Sequence, residues 1–125
     1  MNNIYWLLEL SIKEGQLENF RSLMNEMVEA TEKDEPDALN YEWWITDDNS
    51  TCHIYERYAD SAAVMVHLGN FGSKFAERFM SCVDPSKFVI YGNVSDDVKE
   101  GLSGLAPDYV STFFGGFGRG DGLMS

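Results

Sequence analysis

The stretch TCHIYERYADSAAVMVHL, residues 51–68, decides the fold because it joins a predicted strand directly to a predicted helix. Residues 51–58 predict the strand, and Asp60 is a good N-cap for the helix that follows. The positions of this helix predicted to face the core recur at helical spacing, and they are Val64, His67, Leu68, Phe71, Phe75, Phe79 and Cys82. Gly69 and Gly72 can break the helix into two segments, and Asp84 and Pro85 end it.

Towards the N-terminus, the sequence predicts a hairpin partner, a helix and a first strand. Residues 38–47 predict a strand that is joined to 51–58 by the turn-forming residues DDNS. Before it, apolar residues at steps of three and four predict a helix from residue 14 to the acidic turn at Pro36. Residues 3–12, NIYWLLELSI, alternate apolar side chains and predict the first strand.

Towards the C-terminus, the sequence predicts one more strand, a short helix and a docked tail. The last clear strand is KFVIYGNV at 87–94, and Ser95 or Asp96 caps a helix that runs to about Leu102. Beyond Gly104 the chain is rich in glycine. It also carries four aromatic residues and is therefore expected to dock on the fold; they are Tyr109, Phe113, Phe114 and Phe117.

The order strand, helix, strand, strand, helix, strand is the split βαβ plan of an α+β, ferredoxin-like fold. It predicts a four-stranded antiparallel sheet with both helices on one face. The strands nevertheless carry large apolar side chains on both faces, and the neighbours Trp43 and Trp44 point to opposite sides. Because a broad aromatic face is unfavourable in water, we expect a homodimer in which two sheets pack face to face.

Composition excludes several classes of partner. With 9 basic and 21 acidic residues the net charge is −12, and the bases form no cluster, so we expect neither nucleic acid nor a membrane surface as partner. The longest apolar run, residues 62–66, is far shorter than the roughly 20 residues of a membrane helix. The first residues lack the features of a secretory leader, which favours the cytoplasm. Cys52 and Cys82 are expected to be free buried thiols.

Three segments carry a recurring pattern of an acidic-Pro turn, two Tyr-Glu strands and an Ala-x-x-x-His helix. They are EKDEPDALNYEWW, HIYERYADSAAVMVHL and KFVIYG. The pattern resembles the dimeric α+β barrel proteins of the antibiotic biosynthesis monooxygenase group, over residues 3–93. We therefore expect a barrel domain over residues 1–94 and a C-terminal extension over 95–125. The segment GGFGR within that extension resembles the tail with which some members pair across the dimer.

The resemblance implies several kinds of function, because the group hosts cofactor-free oxygenases, haem-degrading monooxygenases, polyketide cyclases and members without known activity. We expect a cofactor-independent monooxygenase that acts on an aromatic phenol, quinol or anthrone-like substrate in a pocket between sheet and helices. The alternatives are a polyketide cyclase or isomerase, and a non-catalytic dimer that binds a small hydrophobic metabolite.

His67 is the candidate general acid or base, because it alone on its helix stripe titrates near neutral pH. The resemblance places it on the cavity wall; the alternative is a buried neutral imidazole bonded to a carbonyl or to Glu56. Tyr55 or Tyr91 is the candidate donor to a developing oxyanion. The candidate substrate-binding residues, each of which ordinary core packing also explains, are Trp6, Tyr41, Trp43, Phe71 and Phe75.

No cofactor and no metal are expected. The two histidines, His53 and His67, do not occupy the later part of the second helix, where the haem-degrading relatives carry their ligand. The sequence has no HxH or HExxH spacing and no P-loop, and its RGD triplet at 119–121 is treated as chance. Glu56 is expected to be structural, bonded to a turn or to Arg57, and His53 to lie at the dimer contact.

Overall fold

The computed structural model describes residues 2–119. Alternating apolar segments form strands, and segments with a period of three to four residues form helices, as the sequence predicts. The elements in chain order are β1 (Ile4–Ile12), α1 (Leu17–Asp34), β2 (Ala38–Ile45), β3 (Thr51–Tyr58), α2 (Ser61–Lys74), α3 (Ala76–Cys82), β4 (Val83–Tyr91), α4 (Asp96–Leu102) and β5 (Asp108–Val110). A single 3₁₀ turn, Ser103–Leu105, follows α4.

The sheet confirms the ferredoxin-like α+β prediction, with one addition. Its strand order is β2-β3-β1-β4-β5, and the four predicted strands pair antiparallel. The sheet has five strands and not the predicted four, because Asp108–Val110 lies parallel to the free edge of β4. The amide of Gly92 also donates to the carbonyl of Val110 at 3.1 Å. Three residues carry too little periodicity for a strand to be predicted from sequence.

Strand β4 begins earlier than predicted. The sequence predicts a strand from residue 87, with Asp84 and Pro85 as the end of a helix, whereas the observed strand runs from Val83. Pro85 is tolerated because the pairing of β1 with β4 shifts register between Glu9 and Leu10, and β5 does not reach that part of the strand.

Each strand presents one face to the helices and the other away from them. On β3, Cys52, Ile54, Glu56 and Tyr58 alternate as buried residues beneath the helical layer. The core on that side is apolar, and its most deeply buried members are Ile4, Leu10, Leu23, Ile54, Tyr58, Val64, Val83, Ile90 and Val98. The opposite sheet face has no covering element among residues 2–119.

The second predicted helix is divided, but not at its glycines. Asp60 caps α2 as predicted, accepting a hydrogen bond from the amide of Ala63 at 2.9 Å. Gly69 and Gly72 lie inside α2, and the chain turns at Phe75 before α3 begins. This arrangement keeps α2 continuous through His67, so that His67 lies on the buried face of the helix.

Helix α4 packs onto the core, whereas the tail after β5, which is predicted to dock on the fold, leaves Phe113, Phe114 and Phe117 exposed in this chain. Val98 and Leu102 of α4 are buried against the rest of the fold, and α4 contacts α2. The predicted boundary between residues 94 and 95 stays a prediction. Of the helices within residues 2–119, none is long and apolar enough to cross a membrane.

Candidate active site

His67 is buried between two carboxylates that come from different elements. Glu35 caps the C-terminal end of α1, where its amide bonds the carbonyl of Thr31 at 3.0 Å, and its side chain reaches α2. His67 Nδ1 lies 2.9 Å from Glu35 Oε1. Asn70, one turn further along α2, donates to Glu35 Oε2 at 3.2 Å. We assign the proton of Nδ1 to the bond with Glu35, because a carboxylate accepts and does not donate.

Glu56 lies on the other side of the same ring. His67 Nε2 is 3.4 Å from Glu56 Oε1, and the hydroxyl of Tyr58 donates to that same oxygen. Glu56 is 4% exposed and His67 6% exposed, so water does not screen this group of charges. The result is a buried chain, Glu35–His67–Glu56, in which a proton can be held on either side of the imidazole.

Burial and the neighbouring charged groups shift the pKa values of Glu35, His67 and Glu56 in opposite directions. Burial by itself lowers the pKa of His67, but the hydrogen bond to Glu35 and the charges of Glu56 and Glu35 raise it above its usual 6.5. Burial raises the pKa of Glu35, yet the bond and charge of His67 leave it below its usual 4.5. Burial also raises the pKa of Glu56, and there His67 and Tyr58 only partly oppose it. The carboxyl of Glu35 therefore loses its proton more readily than an exposed glutamate, while His67 and Glu56 hold theirs more strongly than usual.

An apolar pocket opens directly beside this chain. It encloses about 540 Å³, its mouth included, and His67, Glu56 and Tyr41 form the polar part of its wall. The rest of the lining is mainly hydrocarbon and includes Leu8, Ile54, Leu68, Phe79, Phe88 and Leu102. The apolar character of this lining suits a small aromatic or hydrophobic ligand.

Three of the predicted substrate-binding residues line this pocket with His67, and two do not. Trp6, Tyr41 and Phe71 lie in its wall. Phe75 lines a smaller cavity behind Glu35, because the turn between α2 and α3 directs it there. Trp43 lies towards the other end of β2, in a groove with Phe20 of α1.

The two predicted oxyanion donors are not brought to His67. Side chains alternate between faces along a strand, and Tyr55 is flanked by the buried residues Ile54 and Glu56. Tyr55 therefore points to the uncovered sheet face, away from α2. Tyr91 pairs with Tyr5 on that same face and is 41% exposed. Neither can donate to a ligand beside His67.

Sequence reasoning misses Glu35 and Tyr58 as members of the site and assigns Glu56 to a structural role. Glu56 does not bond Arg57, whose side chain points to the opposite face and donates to Asn40 at 2.7 Å. A carboxylate placed two residues from a tyrosine on the core face of a strand, with a histidine on the covering helix, is the signal that could have found this group. Glu35 carries no comparable signal, because only the packing of α1 against α2 brings it to His67.

The comparisons with known proteins agree with this architecture. The family model described as antibiotic biosynthesis monooxygenase matches residues 4–81, more than half of the chain. The chain belongs to the antibiotic biosynthesis monooxygenase family. The match ends within α3, so β4, α4 and β5 lie outside it. No curated protein sequence matches the chain.

Solved structures of this family and its fold superpose well. MupZ from Pseudomonas fluorescens is 22% identical, with a TM-score of 0.81 over 95% of this chain and 96% of its own. An antibiotic biosynthesis monooxygenase-type protein from Bacteriodes thetaiotaomicron is 26% identical, with a TM-score of 0.61 over 66% and 81%. SnoaB, a cofactor-independent oxygenase from Streptomyces nogalater, is 10% identical, with a TM-score of 0.63 over 76% and 96%. The likeness to MupZ and SnoaB shows the fold alone.

Proposed function

We propose that this family member is a cofactor-independent monooxygenase that acts on an aromatic phenol, quinol or anthrone-like substrate in the pocket beside His67. The observation that carries the proposal is the buried chain Glu35–His67–Glu56 in the wall of an apolar pocket. The arrangement provides a proton acceptor, an adjacent positive charge and a mainly apolar space. The presence of a pocket beside His67 supports this proposal over a histidine that is sealed in the core.

The first step is removal of a proton from the substrate by the His67–Glu56 pair. Glu35 holds Nδ1 and thereby fixes the ring, so that Nε2 and the Glu56 carboxylate face the substrate side. With the proton on the pair, the imidazolium lies next to the new substrate anion and stabilises it. A pKa of Glu56 above its usual 4.5 makes its carboxylate a stronger base than an exposed glutamate.

Dioxygen is the co-reactant of the second step. The substrate carbanion passes one electron to O₂, and the two radicals combine to form a peroxide at that carbon. For an anthrone, the methylene carbon loses its two hydrogens and gains one oxygen as a carbonyl, while the other oxygen atom leaves as water. The protein contributes orientation, the proton transfers and a mainly apolar pocket.

The proposal is tested by aerobic incubation with a panel of anthrones, dihydroxynaphthalenes and linear polyketide mimics, followed by product mass analysis. The variant His67→Gln is expected to lower the rate by about 10²- to 10⁴-fold, the usual contribution of a general acid or base. His53→Gln is the matched control, because His53 is the other histidine and lies on the opposite sheet face beside Glu9. An unchanged rate in His67→Gln would exclude this role for His67.

A polyketide cyclase or isomerase is the second candidate. It is favoured by the raised pKa of both His67 and Glu56, since an isomerisation needs one group that donates a proton and a neighbour that accepts one. The same panel separates the two candidates. A product of unchanged mass, or one lighter by water, formed without oxygen and dependent on His67 supports the cyclase.

We also propose that the protein forms a homodimer through the uncovered sheet face. Half-buried apolar side chains occupy the centre of that face and include Tyr5, Leu7, Tyr55 and Val89. Phe113 and Phe114, after β5, are 63% and 104% exposed, which supports the proposal that the C-terminal extension contacts the partner subunit. Covering these side chains would remove a large apolar area from water.

A further inference from the structure

The pocket beside His67 opens to solvent at one end. Of the residues that line it, Met80 and Leu105 are exposed, at 41% and 37%, whereas the others are buried or half-buried. His67 and Glu56 are 6% and 4% exposed and belong to the enclosed part. The pocket therefore has an inner end, which carries His67 and Glu56, and a mouth between α3 and the turn that follows α4.

Strand β1 gives the length of the pocket floor. Trp6 pairs with Glu56 and, four residues further along the strand, Leu10 pairs with Pro85. Glu56 and Pro85 both line the pocket. Because a strand rises about 3.3 Å per residue, these two parts of the floor lie about 13 Å apart. A single aromatic ring is shorter than this distance, so a ligand of one ring beside His67 would not reach Pro85.

The C-terminal segment forms part of the wall at the mouth. Strand β5 runs parallel to β4 with Asp108 beside Val89, so the residues before Asp108 lie towards the beginning of β4. Pro85 lies at that beginning, and Leu105 is one of the residues before Asp108. The family match ends at residue 81, so Pro85 and Leu105 belong to the part of the chain outside it. The mouth is thus shaped by a part of this chain that the family model does not cover.

The turn that carries Leu105 is held on both sides. Before it, Leu102 is 4% exposed, and α4 packs so closely on α2 that a Cβ at Gly101 would lie 3.2 Å from Cδ1 of Leu68. After it, β5 pairs with the edge of β4. Ala106 adopts a left-handed φ of +46°, which is unfavourable for alanine, so the packing on both sides maintains the turn. The fold therefore fixes the place of Leu105 at the mouth.

We propose that the mouth of the pocket is a distal subsite for a further ring of the ligand, and that Leu105 selects ligands long enough to reach it. Met80, Pro85 and Leu105 offer apolar side chains there, so the part of the ligand that they contact is apolar. The inference rests on the proposed function in that the reacting ring lies beside His67. It adds a requirement for length, and binding alone tests it.

The test uses phenol and 2-hydroxyanthracene, which share a hydroxylated ring and differ by two distal rings. Their affinities are measured by NMR titration of the His67 ring protons, which are expected to respond to both probes. The wild type is expected to bind 2-hydroxyanthracene more tightly. Leu105→Ala removes hydrocarbon from the mouth, so it should weaken 2-hydroxyanthracene binding by about three- to tenfold and leave phenol binding unchanged. Val66→Ala is the matched control, because Val66 is also an exposed aliphatic residue but does not line this pocket.

Methyl NMR signals of the wild-type protein make the test independent of how well Leu105→Ala folds. An aromatic ring shifts the signals of the methyl groups that it contacts. The Leu105 methyl signals are expected to move when 2-hydroxyanthracene is added and to stay in place with phenol. The Val66 methyl signals are expected to stay in place with both probes.

Four results would overturn the inference. They are equal affinity of the wild type for the two probes, 2-hydroxyanthracene binding that is unchanged in Leu105→Ala, equal loss of both probes in Leu105→Ala, and Leu105 methyl signals that do not respond to 2-hydroxyanthracene. Failure of the proposed function gives a different result: 2-hydroxyanthracene binds against Leu105, but neither it nor the wider substrate panel is converted to product.

Discussion

At the scale of single residues, the decisive feature is an imidazole that is buried together with two carboxylates. Burial of one histidine or one glutamate alone would favour its neutral form. Because Glu35, His67 and Glu56 lie in line, the positive charge on the ring is compensated from both sides. Glu35 does not line the pocket beside His67, so it acts through the ring and is a positioning residue.

Replacing Glu35 tests this arrangement. In Glu35→Gln the pKa of His67 is expected to fall, because the group that contributes the raising hydrogen bond and one of the two raising charges is gone. An NMR titration of the histidine ring protons measures the change, and His53 serves as the internal control in the same sample. A His67 pKa that stays in place or rises would contradict the role assigned to Glu35.

The same substitution has a defined effect on stability. The folded-state pKa of His67 lies above 6.5, so its contribution to stability is complete below pH 6.5 and is lost as pH rises through the folded pKa. Glu35→Gln is therefore expected to reduce the fall in the free energy of unfolding above pH 6.5. Urea denaturation of wild type and variant across that range measures the difference in slope.

At the scale of elements, α2 shows that a helix can continue through glycines when tertiary packing determines where it ends. A Cβ built at Gly69 or Gly72 would have no described atom within 4 Å, so these glycines serve no close approach. The chain instead turns at Phe75, and this turn lets α3 place Phe79 and Cys82 in the core. Space is short at Gly92, after β4, where φ is +114°.

Alanine substitutions separate these two kinds of glycine. Gly69→Ala and Gly72→Ala are each expected to raise the free energy of unfolding by about 0.5–1 kcal/mol, since alanine is the better helix former. Gly92→Ala is expected to lower it, because the new Cβ would lie 2.8 Å from the carbonyl oxygen of Asn3 at a strained φ. Urea denaturation measures all three, and a destabilised Gly69→Ala would show that α2 needs its glycines.

At the scale of the whole molecule, the two faces of the sheet have different roles. The covered face holds the core and the site, while the other face exposes apolar and aromatic side chains, among them Trp44 at 63%. The C-terminal elements contribute to both faces. Leu102 and Leu105 line the pocket beside His67, and β5 widens the sheet beside Tyr91.

A charge placed on the uncovered face tests the proposed homodimer. Leu7 lies near the centre of this face and pairs with Tyr55 and Val89, so Leu7→Glu is expected to yield monomers. Val66→Glu is the control, because Val66 is also apolar and 53% exposed but lies on α2. Light scattering of dilute samples measures the mass. A wild-type protein of monomer mass, or a Leu7→Glu protein of dimer mass, would contradict the proposal.

The local pattern of the sequence was sufficient for most of the fold. Alternation in NIYWLLELSI and the cap at Asp60 depend on a few neighbouring residues, and both appear in the structure as predicted. The strand β5 could not be predicted, since its three residues form a strand only because the edge of β4 is there to pair with them. Likewise, the turn at Phe75 follows from tertiary packing, and no residue between 69 and 75 predicts it.

The candidate site also has one part that the sequence determined and another part that only the tertiary structure decided. The sequence by itself determined that His67 lies on the buried stripe of a helix, because helical spacing is a local property. The tertiary structure alone decided which groups meet it. Glu35, 32 residues away, and Glu56 reach the ring through the packing of α1, α2 and β3. Tyr55 and Tyr91 are directed away by strand register, since a shift of one residue reverses the face that a side chain occupies.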